Sequence, residues 1–67
     1  MTIKDEIFNV LRTNYALRIV ICTKVNTRVV NVERWAQRKS IPKWFVNEVV
    51  KIISEELNID QDQIFEP

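Results

Sequence analysis

A chain of 67 residues that contains no glycine has few ways of turning a corner. Helices often close on a residue in the left-handed region of backbone space, which costs a side chain with a β-carbon about 1–2 kcal/mol. Glycine avoids that cost, and asparagine is the next best choice. Asparagines stand at 26 and 58, each just beyond a run of helical apolar spacing, and each is expected to act where glycine otherwise would. The turn at Asn26 is short, which forces the helices on either side of it to cross steeply, as in a helix-turn-helix.

Apolar spacing predicts helices along the whole chain. Thr2-Ile3-Lys4-Asp5 has the form of a capping box, and Ile3, Ile7, Val10 and Leu11 recur at helical spacing, so a first helix is expected over residues 3–13, ended by Asn14. A second, over 16–24, buries Leu17, Ile21 and Cys22. Its β-branched residues suit a strand equally well by propensity alone, and context favours the helix. A third runs over 28–39 with Val32 and Trp35 on its inner side. A fourth begins at Pro42, which needs no amide partner at a first helical position; Val46, Val49, Val50, Ile53 and Leu57 form its stripe, and Trp44 falls off it. Asp60-Gln61-Asp62-Gln63 has the form of a second capping box opening one last turn, with Ile64 and Phe65 packing back. The expected architecture is a single all-α domain over residues 1–67, of about five helices.

A hydrophobic content of 46% with 28% charged residues belongs to a chain that folds. A domain this small has a thin margin of stability. One cysteine allows no internal disulfide and the absence of histidine removes the usual zinc ligand sets, so a second copy of the chain is the expected supplement. Cys22, among apolar neighbours, is expected to be a core residue rather than a redox thiol. The longest apolar run, Ile19 to Cys22, is far too short to span a bilayer. Residues 1–11 lack the pattern of a secretory leader, so a reducing cytoplasm is the expected location. With no histidine, no glycine-rich phosphate loop and no nucleophile beside a base, no enzyme, cofactor or metal site is expected. Glu55 and Glu56 are expected on a solvated helix face.

Charge is sorted along the chain. From Arg12 to Lys43 there are eight basic side chains and one acid, Glu33, a net +7, whereas residues 1–11 carry −1 and residues 44–67 carry −5. Positive charge concentrated on one segment of a compact protein creates a field suited to a polyanion, and nucleic acid is the first partner it suggests.

The stretch from Arg18 to Trp35, followed by Arg38-Lys39-Ser40-Ile41-Pro42, resembles the helix-turn-helix of the phage repressor family of the Cro and CI type. Members often show a tryptophan ending the recognition helix, a basic turn, and Ile-Pro opening the next helix. In that alignment Cys22 takes the position of a small buried residue, Val25, Val32 and Trp35 take buried positions, and Asn26 takes the turn glycine; Leu57-Asn58-Ile59 resembles the family's ending. Thr27 stands where an aliphatic residue is usual and Arg28 where a serine or threonine cap is usual, so Asn26 or Thr27 is the expected cap of the third helix. The resemblance implies a compact five-helix lambda-repressor-like domain. It also implies a transcriptional regulator, a repressor, that binds double-stranded DNA sequence-specifically as a homodimer and has no small-molecule substrate.

With Val32 and Trp35 inward, the alignment puts Val30, Glu33, Arg34 and Gln37 outward and Val29 at the edge. In a major groove the valines can meet thymine methyls, though a small shift in helix rotation would instead bury one of them; Glu33 can accept from a cytosine amine, Arg34 can take guanine or a backbone phosphate, and Arg28 can serve bases or phosphate. Arg18, Lys24, Arg38, Lys39 and Lys43 suit phosphates. Trp44, Ile59 and Phe65 are the candidates for a dimer contact, with Trp44 equally able to cover the start of the fourth helix or to reach the DNA backbone. Two other functions compete. One is an excisionase-like architectural DNA-binding protein, whose β wing after Ile-Pro is at odds with a long helix from Lys43. The other is a small helical protein-binding module, which has no need of +7 on one segment.

Overall fold

The computed structural model describes residues 2–66. Asn14 is the hinge of its first half, closing one helix and opening the next with no residue between. Helix α1, Asp5–Thr13, ends as the Asn14 amide donates to the Val10 carbonyl at 2.8 Å. Helix α2, Tyr15–Lys24, starts as the Asn14 side-chain oxygen accepts from the Leu17 amide at 3.0 Å. Helices α3, Val29–Arg38, and α4, Lys43–Leu57, follow, and a single 3-10 turn, Gln61–Gln63, takes the place of the expected fifth helix. The chain is all-helical among the described residues, apart from one antiparallel bridge between Ile3 and Phe65.

That bridge corrects the first capping box. Thr2 to Lys4 stays outside α1 and lies against the C-terminal segment, with Lys4 donating to the Ile64 carbonyl at 2.9 Å and Glu66 to the Thr2 carbonyl at 2.7 Å. The helix starts two residues late, at Asp5, after Lys4 and with no side-chain cap; Asp5 and Glu6 in its first turn still oppose the helix dipole favourably. The second capping box is absent as well. A capping box needs the amide three residues on, but in the tighter 3-10 geometry the Gln63 amide already donates to the Asp60 backbone carbonyl at 2.9 Å.

Three helices close on left-handed residues, and none of these is glycine. Asn26 has φ 56°, Lys39 φ 54° and Asn58 φ 54°. At Asn26 the termination is a full Schellman motif: the Thr27 amide donates to Cys22 at 2.9 Å and the Asn26 amide to Thr23 at 3.4 Å. Ser40 to Trp35 and Ile59 to Ser54, both at 3.1 Å, close α3 and α4 in the same way. The two asparagines behave as the absence of glycine predicts. Lys39, expected as the last residue of a helix, is instead its left-handed cap, a conformation lysine does not favour. Lys39→Gly is therefore expected to stabilise the fold by about 1 kcal/mol, raising the melting midpoint by roughly 4–8 °C for a domain of this size. A midpoint that stays put or falls in a thermal scan contradicts strain at this position.

The core lies where α1 and α2 pack on α3 and where α4 packs on α2. Leu11, Ile21, Val32, Val49, Ile53 and Ile64 are inaccessible to solvent. Packing on several neighbours explains why α2 is a helix despite its β-branched residues. Phe8 and Ile52 belong to the core although the predicted stripes omitted them, because the buried arcs of α1 and α4 are wider than a narrow seam. Cys22 and Val25 are half-buried rather than enclosed, and they pack against the core from its rim. No helix among the described residues is long and apolar enough to cross a membrane.

Candidate nucleic-acid interface

Helix α3 is fixed by its inner side. Val32 and Ala36 are fully buried and Trp35 nearly so, its ring 5.2 Å from that of Phe45 on α4. Locking these positions turns Val30, Glu33, Arg34 and Gln37 outward within an arc of roughly 100°. Val30, Arg34 and Gln37 are exposed, Val30 to 40%. Glu33 and Val29 are half-buried, and Arg28 is exposed at the mouth of the helix. An exposed valine between arginines is an apolar spot on a basic surface, and Asn31, half-buried beside it, donates to the Thr27 hydroxyl at 2.9 Å.

The start of α3 corrects the expected cap. Arg28, with extended backbone (φ −84°, ψ 147°), holds the N-cap position and makes no side-chain cap bond. Asn26 is committed to closing α2 and the Thr27 hydroxyl to Asn31, so neither caps the helix. The positive end of α3 has no acid in its first turn, which leaves its field available to an anion.

Arg18 is also corrected. Its side chain is only 12% exposed and is turned inward, where one terminal nitrogen, Nη1, donates to both the Leu11 and Arg12 carbonyls at 2.7 Å. These are orphan carbonyls at the end of α1, a helix that has no glycine to fold its terminus back. Nε of the same guanidinium has no hydrogen-bond partner and lies 4.0 Å from the Glu33 carboxylate, and the group stands 5.4 Å from the centre of the Tyr15 ring. Arg18 thus ties α1, α2 and α3 together instead of standing on the basic surface. Its one signal in the sequence is that α1 ends without a glycine while an arginine follows within two turns. Arg12, Arg18, Glu33 and Gln37 line a cleft of about 240 Å³ at the edge of the outward face of α3. Glu33, the one acid of the basic segment, is there held beside a cation.

The remaining bases are exposed: Arg12, Lys24, Arg34, Arg38, Lys39 and Lys43. Arg38 and Lys39 end α3 and Lys43 begins α4. Lys39 also pairs with Asp5 at 3.3 Å. Lys24 borders a groove with Glu48, Lys51 and Glu55, so it sits in a mixed field, apart from the others. Of the three dimer candidates, Trp44 is 77% exposed, whereas Ile59 and Phe65 are half-buried against their own core. No group of three histidine, cysteine, aspartate or glutamate side chains among the described residues is placed to hold a metal ion.

Comparison with protein-family models, curated proteins and solved structures finds no match for this chain.

Proposed function

We propose that this protein is a sequence-specific double-stranded DNA-binding protein, a transcriptional repressor of helix-turn-helix type that lays α3 in the major groove and acts as a homodimer. The observation that carries the proposal is the outward side of α3. Three buried residues anchor the helix, Val30, Arg34 and Gln37 lie exposed along one stripe, and basic residues stand at both of its ends. The Schellman turn at Asn26 supports it by joining α2 to α3 abruptly, and the four α-helices with their final 3-10 turn suit a small lambda-repressor-like domain. Arg34 reads guanine, Val30 meets a thymine methyl, Gln37 reaches an adenine edge and Arg28 a base or phosphate at the helix start. Arg38, Lys39 and Lys43 take phosphates, which set position rather than sequence. Val29 and Glu33, half-buried, bound this surface. Two copies on a two-fold site present their α3 helices to successive major grooves about 34 Å apart. The 15 residues after Pro42 form α4, which favours this function over the winged excisionase type.

Selection of bound duplexes from random oligonucleotides at physiological salt tests the proposal: a palindromic consensus supports it and no enrichment refutes it. On such a consensus, Arg34→Ala is expected to weaken binding by about 5–150-fold, equivalent to about 1–3 kcal/mol, with a smaller loss on random duplex. Lys39→Ala is expected to weaken both DNAs alike. Equal losses for both variants on both duplexes contradict this division of roles.

A further inference from the structure

We infer that Arg18 is a positioning residue for base readout: from inside the fold it holds the Glu33 carboxylate at the edge of the outward face of α3, where that carboxylate selects a cytosine. This rests on the DNA-binding function proposed above. An acid on a surface that meets a polyanion is repelled by the phosphates, and Glu33 is the one acid between Arg12 and Lys43. Its side chain is nonetheless 43% exposed, next to Arg34 and one turn from both Val30 and Gln37. A carboxylate in this place favours binding where the groove presents it with a hydrogen-bond donor.

Around Arg18, anchoring and charge neutralisation fall to different atoms. Nη1 spends its hydrogens on the Leu11 and Arg12 carbonyls, both at 2.7 Å, which fixes the guanidinium to the end of α1 rather than to α3. Nε is buried without a hydrogen-bond partner and lies 4.0 Å from Oε1 of Glu33. In a side chain only 12% exposed, that separation is close enough for charge attraction and too long for a hydrogen bond. The cation therefore offsets the charge of Glu33 and leaves the carboxylate lone pairs free on the exposed side. An ionised carboxylate accepts and cannot donate. In the major groove cytosine presents an amino donor, adenine sets an acceptor beside its amino group, and guanine and thymine offer acceptors. Cytosine is thus the base this carboxylate repels least, and a change to thymine puts an acceptor where the donor stood. Arg18, expected from sequence to hold a phosphate, acts on base choice through Glu33 without touching DNA.

Affinities for the selected consensus duplex and for all of its single base-pair replacements separate discrimination at one position from overall strength. The parent protein is expected to prefer C·G over T·A by about 5–150-fold at one position of each half-site. Glu33→Gln, which keeps the length of the side chain and the Arg18 bonds to α1, is expected to lose most of that preference and to leave the other positions as they were. Arg18→Lys and Arg18→Gln, each assayed in the cold below its melting transition, are expected to relax the same position and no other, because neither side chain can serve α1 and Glu33 together. In the Glu33→Gln background they are expected to relax nothing further, since no carboxylate is left to hold. A merely structural Arg18 weakens every duplex by one common factor with all preferences intact, and that result overturns the inference. A Glu33→Gln profile that matches the parent's also overturns it and leaves the major-groove proposal standing, because a consensus was found. Failure to select any consensus overturns both.

Discussion

Arg18→Ala is expected to lower the melting midpoint by roughly 8–24 °C, the equivalent of about 2–3 kcal/mol in a domain of this size. Hydrogen bonds from a charged donor are each worth about 1.5–3 kcal/mol when they are withdrawn from water. The bond to Leu11 is part-buried and contributes in that range; the bond to Arg12 is exposed and contributes less, since water replaces it. Loss of the guanidinium also leaves Glu33 without its neighbouring cation at 4.0 Å. Domains have a net stability of about 0.05–0.15 kcal/mol per residue, so this one side chain accounts for a large part of the total. Arg18→Lys should recover less than half of the loss, because a single ammonium on a flexible stem cannot reproduce the planar fork. Arg12→Ala, an exposed neighbour, should stay within about 0.5 kcal/mol of the parent. Circular dichroism melts at neutral pH measure all three; an Arg18→Ala midpoint within two or three degrees of the parent would mean that solvent satisfies both carbonyls.

The second large effect concerns salt. If each protomer engages phosphates through Arg28, Arg38, Lys39 and Lys43, a dimer makes about eight contacts, and log affinity should fall against log salt with a slope of about −7. Between 50 and 200 mM monovalent salt that amounts to roughly 10⁴-fold. Arg18, turned inward, is not counted, and Lys24 shares its groove with Glu48 and Glu55. Anisotropy titrations on one duplex across that salt range give the slope. A value shallower than about −3 would remove the basic surface from the binding mode, because so few released counterions correspond to one or two contacts per protomer.

How much of this was legible before the structure depended on the reach of each interaction. Asn26 and Asn58 were readable as left-handed caps because the conformational preference is local and no glycine competes for the role. Lys39 was not, because nothing in lysine favours that geometry; α3 must end where Ile41 returns to the core, and Lys39 occupies the residue that has to turn. Both capping boxes followed from spacing alone, and both were displaced, one by pairing between distant segments and the other by the pitch of a 3-10 turn. The exposed stripe of α3 was legible because Val32 and Trp35 fix its rotation. The placement of Glu33 beside Arg18 was not, since it depends on how closely α2 and α3 cross. Nor could spacing distinguish Arg18 from the exposed bases of the same segment, because its role is set by the end of α1 and not by its own helix.

In most small domains the two ends fray independently. Here the outermost backbone bonds join residue 2 to residue 66 and residue 4 to residue 64, so neither end can peel away without releasing the other. Opening at the termini is thus one cooperative event that frees the start of α1 and the final turn together. The Asn26 corner lies outside that event and can keep its shape while the ends breathe.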